Sequence, residues 1–323
     1  MLVDAPFANV EALVKAAAAA GRLGAGENFF VGGTTLLRGQ RTGSDTTNRG
    51  TLYDPYSTLD YATGICTAGR HDNVICLPTH TVDITAASGI TCDIAGVTYL
   101  GIGTGDYRPT VTCSGTDDAT NIVISAKNVT FDNFLFDMTG NDSVASFITL
   151  TAADCTFRNC RFLLADSTGQ VDIGVTVSTG AHRCKFIDCE FFGDTADSVA
   201  IAVGAVVTEL HVERCKFDVV GSTSPGLIEF TAAATSIFFK DVVLINRVAS
   251  ATTTVDFNAN ACTGTFINVH SVLGTVATAG SGILPYESTG AAAFIAGIQC
   301  YCVNDQAASG AGEAGALVGA VST

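Results

Sequence analysis

Cysteines, clustered acids and histidines are the side chains whose spacing in this sequence could do chemistry. Cys160, Cys189 and Cys215 recur at intervals of 29 and 26 residues, and Cys155 and Cys184 each precede one of them by five. Zinc needs four ligands converging on one point. Residues one coil apart in a stack would instead lie about 4.8 Å apart along a line, and the Cys155/Cys160 spacing is unlike the Cys-x-x-Cys of zinc ribbons. The twelve cysteines therefore read as reduced, small, apolar core residues rather than as a metal site or a disulfide framework. Asp117-Asp118, inside Ser114-Gly115-Thr116-Asp117-Asp118-Ala119, reads as a solvated turn. Asp137, Asn141 and Asp142 around Gly140 could ligate calcium, but polar residues beside a glycine read first as a turn.

The histidines, His71, His80, His182, His211 and His270, show no repeated relation to a Ser, Cys or carboxylate and read as surface residues. Gly101-Ile102-Gly103-Thr104-Gly105 lacks the lysine and the following helix of a phosphate loop, so it reads as a corner of the chain. Tryptophan, a common platform for sugar rings, is absent, although seven tyrosines are present. No catalytic, cofactor-binding or metal-ligating residue is assigned, and no cofactor is expected.

The elements that must position any such residues come from a repeat. An apolar residue, then two others, then alternating apolar residues recur as Phe131/Phe134/Phe136, Phe157/Cys160/Phe162, Phe186/Cys189/Phe191 and Val212/Cys215/Phe217. The series continues through Phe239/Val242/Leu244, Phe266/Val269/Ser271 and Ile295/Ile298/Cys300, with spacings of 26, 29, 26, 27, 27 and 29 residues. Such regularity is the mark of a solenoid. Before the central apolar position stand Asn133, Asn159, Asp188, Arg214, Asp241, Asn268 and Gly297. Asn, Asp and Gly tolerate the left-handed backbone of a sharp bend, with Arg214 marking a locally different turn.

A second apolar run precedes each copy, as in Phe147–Leu150, Ile173–Val177 and Leu227–Phe230, so each coil supplies about three strands. Val97–Ile102 matches Val129–Phe134 at an offset of 32. Val74–Leu77 and Val82–Ile84 are expected to start the stack.

The predicted fold is an all-β, single-stranded right-handed parallel β-helix with a short N-terminal capping helix. Ser57-Thr58-Leu59-Asp60 is a capping-box pattern, and Leu59, Ala62, Ile65 and Cys66 share one face of a helix over about 57–68. It would cover the apolar end of the solenoid, where unpaired strand edges are otherwise exposed. The domain reading is an arm over 1–27, helical over 7–20, the β-helix over 28–305, and an Ala/Gly-rich tail over 306–323. The arm and the tail are the expected attachment segments.

Composition narrows the function classes. Sixteen basic and thirty-one acidic residues give a net charge of −15, a field that repels a phosphate backbone and argues against nucleic acid. The first residues lack the basic region of a signal peptide, and no apolar stretch is long enough for a membrane span. The expectation is synthesis in a reducing cytoplasm, without membrane association.

Thr51–Ala62, followed by Asp72–Thr81, resembles the entry segment of pectate-lyase-like β-helix proteins. With Ile94-Ala95-Gly96-Val97 and Gly105-Asp106-Tyr107-Arg108-Pro109 added, it resembles more narrowly the virion-associated β-helix proteins of tailed bacteriophages. The likeness covers roughly residues 28–125, and the repeat extends it to about 305. It implies a structural protein of the phage particle, commonly a homotrimer, contacting the major capsid protein or other virion proteins and made in the host bacterial cytoplasm.

The catalytic motifs of the lyase and polygalacturonase branches, Asn-Thr-Asp, Gly-His-Gly and Arg-Ile-Lys, have no counterpart in this sequence. The expectation is therefore a non-enzymatic capsid decoration or cement protein on the head surface. The alternative is a tail fibre or tailspike that binds or depolymerises host surface polysaccharide. A secreted adhesin would need an export signal.

Overall fold

The computed structural model describes residues 10–33, 40–85, 89–114, 121–139, 144–165, 171–221, 226–247, 254–257, 260–273, 286–287 and 294–304. They form a right-handed parallel β-helix. Each coil contributes strands to three faces. On the first, an unbroken parallel ladder runs from Asn28–Val31 through Asn73–Cys76, Thr98–Gly101, Thr130–Asp132, Thr156–Arg158, Lys185–Ile187 and His211–Glu213 to Phe294–Ile298. The second face starts at Thr81–Ile84 and the third at Ile90–Cys92. The ladder thus begins one rung earlier than Val74, because Asn28–Val31 pairs in register with Asn73–Cys76.

Parallel in-register stacking puts like side chains above one another, and the core is a set of such columns. Tyr99, Phe131, Phe157 and Phe186 stack with ring centroids 4.4, 5.7 and 5.3 Å apart. Phe136, Phe162, Phe191 and Phe217 form a second column at 5.0, 4.3 and 4.5 Å. Stacked rings exclude water and add a directional term to apolar burial.

Between the columns the chain bends through a left-handed residue at Asn133, Asn159, Asp188, Arg214, Asp241 and Asn268, all with φ between 50° and 67°. Arg214, φ 50°, takes the same turn as the others, and its guanidinium holds Asp188 of the preceding coil at 2.6 and 3.0 Å. An ion pair between rungs offsets part of the backbone cost. The last copy is also in a different register. Phe266 pairs with Gly297, so the repeat there is Gly297/Cys300/Cys302 and the left-handed residue is Gln299, φ 53°.

The cysteine column sits just inside this bend. Sγ of Cys160, Cys189 and Cys215 donates to the carbonyls of Phe131, Phe157 and Phe186 in the coil before, at 3.5, 3.5 and 3.4 Å. A thiol there fills a small apolar space and satisfies a carbonyl that the turn leaves without a strand partner. Eleven described cysteines are free and buried.

Two helices complete the N-terminal end. Helix α2 (Leu59–Ile65) is capped by Thr58, whose hydroxyl accepts from the Tyr61 amide at 3.2 Å. It buries Leu59 and Ala62 in the end of the core, while Ile65 points to solvent, contrary to its expected inward face. Helix α1 (Val10–Ala19) lies elsewhere, on the outer wall. There Val10 and Ala17 pack on Ile75, Leu77, Leu100 and Ile102. The glycine-rich stretch after Tyr99 is a corner as expected. Gly101 sits so close to the Asn133 carbonyl that a Cβ would lie 2.3 Å from it, and Gly103 adopts φ 137°. The tail 306–323 and the first nine residues lie outside the described residues.

Candidate functional site

A second ladder of left-handed turns joins the third face to the first. Asn128, Asp154, Arg183, Glu209 and Ser236 occupy it with φ between 55° and 63°. Backbone amides tie the turns together from coil to coil. Asp154 N donates to His182 O, Arg183 N to Thr208 O and Glu209 N to Thr235 O, each at 2.8 Å. One strand position further on, the outward residues Lys185, His211 and Phe238 stand in register. Turn ladder and strand ladder together line a groove of about 330 Å³ formed by Asp154, Arg183, Lys185, Glu209, His211, Ser236 and Phe238.

The charges in it are unevenly satisfied. Arg183 grips Asp154 through Nε and Nη2 at 2.6 and 2.8 Å, and this contact holds the Asp154 carboxyl below its ordinary range. His211 Nε2 lies 3.0 Å from Glu213 Oε2, with its ring 4.9 Å from that of Phe238. Partial burial pushes the Glu213 carboxyl up, but the His211 contact and the Arg214 and Lys240 charges outweigh it, so its net shift is downward. Lys185 and Glu209, both exposed, have no ion-pair partner among the described residues.

Chemically, the groove offers an ammonium free to meet a carboxylate or sulfate. It also offers a carboxylate free to take a proton, and an imidazole oriented by an acid.

The charged strip continues on the second face. Phe192 lies between the Arg161 and Arg247 guanidiniums, 5.9 and 5.5 Å from its ring centre. Lys216 and Arg247 both reach Asp218, at 3.0 and 2.8 Å. Arg158, Arg161, Arg183, Lys185, Arg214, Lys216, Lys240 and Arg247 lie along these two ladders. Half of the sixteen basic residues are therefore on one side of an acidic protein.

The structure redistributes the residues weighed from sequence. His211 acquires a carboxylate partner, so it is not an isolated surface side chain. His80 is buried, and desolvation lowers its pKa. His71 and His270 are exposed, and the His182 ring accepts from the Thr208 amide at 3.2 Å. Asp137 turns back to its own loop, accepting from the Thr139 hydroxyl at 2.8 Å. Asn141, Asp142, Asp117 and Asp118 lie outside the described residues. No group of three or more potential metal ligands is gathered among the described residues.

The groove residues escaped the sequence reading because 26 to 29 residues separate each from the next. The available signal was a polar residue three positions before the first apolar residue of each repeat, at Asp154, Arg183, Glu209 and Ser236.

No family model matches the chain, and no curated protein matches it. Two solved structures are similar to it. A structure described as a rhamnogalacturonan lyase has 16% identity and a TM-score of 0.39, covering 86% of this chain. The chain spans 66% of that protein's length. The pectate lyase Pel9A has 14% identity and a TM-score of 0.45, covering 89% of this chain and 79% of its own. At these identities the likeness speaks to the fold.

The comparison also corrects one expectation. The chain was read as non-enzymatic because three lyase and polygalacturonase motifs are missing, yet both of these similar structures are lyases. Those motifs therefore do not exclude catalysis, and the groove supplies acid, base and cation without them.

Proposed function

We propose that this chain binds an acidic polysaccharide in the groove between Asp154 and Phe238 and depolymerises it there, as a tail fibre or spike component acting on the host surface. The observation that carries the reading is the unpaired Lys185 ammonium, with Arg183 and the His211–Glu213 pair beside it, on an open face that holds half of the chain's cations. The overall charge of −15 would repel an acidic polymer. Within a Debye length of about 8 Å, however, the local charges decide the encounter. Lys185 would take a sugar carboxylate, Phe238 would offer an apolar surface to the ring, and Glu209 or His211 would move the proton. Two lyase-named structures share the fold, which is in keeping with this reading and adds no argument about the site.

The test is incubation of the full chain with acidic capsule or lipopolysaccharide, following new reducing ends or unsaturated uronates. Product formation abolished by Lys185→Ala and by His211→Ala supports the reading. Failure to bind either polymer refutes it. We also propose that copies of the chain associate with one another on a virion. Light scattering that returns the mass of a single 33.1 kDa chain at micromolar concentration counts against this. Labelling of intact particles that marks the head shell rather than the tail tip refutes the spike assignment.

A further inference from the structure

Helix α1 does not seal the wall it covers. Beside its contact with Ile75 and Leu77 lies a cleft of about 520 Å³, walled by Leu13, Ala17, Pro78, Leu100 and Ile102 on its apolar sides, with Arg22 and Asn133 at one end. A cavity of this size is in the range that encloses a small organic ligand. Its polar end carries an excess of positive charge. The buried Asp132 carboxylate accepts from Arg22 Nε at 2.9 Å, from Arg22 Nη2, and from Arg158 Nε at 2.8 Å, so two guanidiniums share one acid.

Arg108, which follows the cleft-lining Tyr107, holds only the uncharged Asn159, at 3.3 and 3.4 Å. Its Nε is buried without an acceptor. Asp106, exposed on the same turn, pairs with none of the three arginines. Arg22 Nη1 has no partner among the described residues, which leaves donors free at the mouth of an apolar chamber.

We infer that this cleft binds an amphipathic anion, specifically an aliphatic carboxylate. Its chain lies against Leu13, Ala17, Leu100 and Ile102, and its head group meets Arg22. A carboxylate takes the free guanidinium donors in planar geometry, and a methylene chain replaces water on the apolar walls. The charge arrangement excludes a cationic amphiphile, for which the same end is repulsive.

The test uses the full chain and isothermal titration calorimetry with decanoate, octanoate and decylamine. Decanoate is expected to bind about tenfold tighter than octanoate, from two methylenes, and decylamine at least tenfold more weakly than decanoate. Arg22→Gln should weaken decanoate about tenfold. Because that change could loosen α1, Leu13→Glu is the second variant. Leu13 is 45% exposed, so the substitution leaves the packing intact while placing a negative charge in the chamber, and it should also abolish binding.

Equal affinity for decylamine, no dependence on chain length, or unchanged binding by Leu13→Glu overturns the inference. Sedimentation with and without decanoate tests the other occupant, a second copy of this chain. A dimer that both decanoate and Leu13→Glu dissociate would assign the cleft to that contact and refute the ligand site.

Discussion

Removing one ring from the middle of an aromatic column is the most direct test of how this fold is held together. Phe191 is 1% exposed. It is sandwiched between Phe162 and Phe217, 4.3 and 4.5 Å away and within 5° of parallel. Large-to-small changes at buried phenylalanines cost about 3–5 kcal/mol, the spread reflecting how far the site can collapse. Here collapse is resisted, because hydrogen-bonded ladders fix the rungs above and below at about 4.8 Å. Phe191→Ala should therefore lie near the upper end, at about 4–5 kcal/mol. Phe191→Leu, which keeps most of the volume, should cost about 1.5 kcal/mol or less. Phe238→Ala, on the half-buried groove side, should cost about 1 kcal/mol.

Urea unfolding reads these as midpoint shifts, about 1 M for Phe191→Ala if the slope is about 3 kcal/mol/M or more. A solenoid rung touches only its neighbours, so hydrogen exchange should quicken around Phe162 and Phe217 and stay unchanged at Val74 and Tyr99. A Phe191→Ala loss below about 2 kcal/mol, or no larger than that of Phe238→Ala, would show that the columns do not carry the stability ascribed to them.

Lys185→Ala should weaken binding of an acidic polysaccharide about fivefold at low salt, with the difference vanishing near 1 M salt, as expected for an exposed charge. A difference that persists at high salt would count against a charge contact. The buried Asp72 accepts from Arg70 at 2.6 Å and from the Thr67 and Glu27 amides at 2.8 and 2.9 Å. Although burial alone pushes its carboxyl up, these bonds outweigh it and the net shift is downward. Asp72 therefore stabilises the fold above its unfolded pKa of about 3.9, and the contribution is lost as pH falls through the lower folded value. Asp72→Ala should cost about 3 kcal/mol at neutral pH and flatten the acid limb of Tm against pH. An unchanged acid limb would refute this. Burial pushes the Cys66 and Cys92 thiols up to about 12, so the native chain should resist a thiol reagent while the unfolded chain titrates all twelve cysteines. Rapid native labelling of several thiols would contradict the buried columns.

The amino-acid sequence by itself determined the solenoid. Its core positions recur at Phe131, Phe157, Phe186 and Val212, and no other arrangement stacks residues 26 to 29 apart while burying each of them. The bends were equally legible at Asn133, Asn159, Asp188, Asp241 and Asn268, because few residue types accept φ near 55° cheaply. Arg214 obeys the same turn for a reason no single position reveals, since its support is Asp188 one coil away.

Register failed at the last copy, where the neighbouring strand pairs Gly297 rather than Ile295 with Phe266. Side-chain alternation repeats every two residues, so a slip of two leaves the apolar pattern intact. Only the tertiary structure assembled the groove and the cleft. Asp154, Arg183 and Glu209 meet because successive turns stack, and Arg22 meets Asp132 because α1 lies on the outer wall. Contacts between residues one coil or 110 positions apart follow from how the coils pile up, and outward-facing positions, which the core leaves unconstrained, carry no periodic apolar signal from which to infer them.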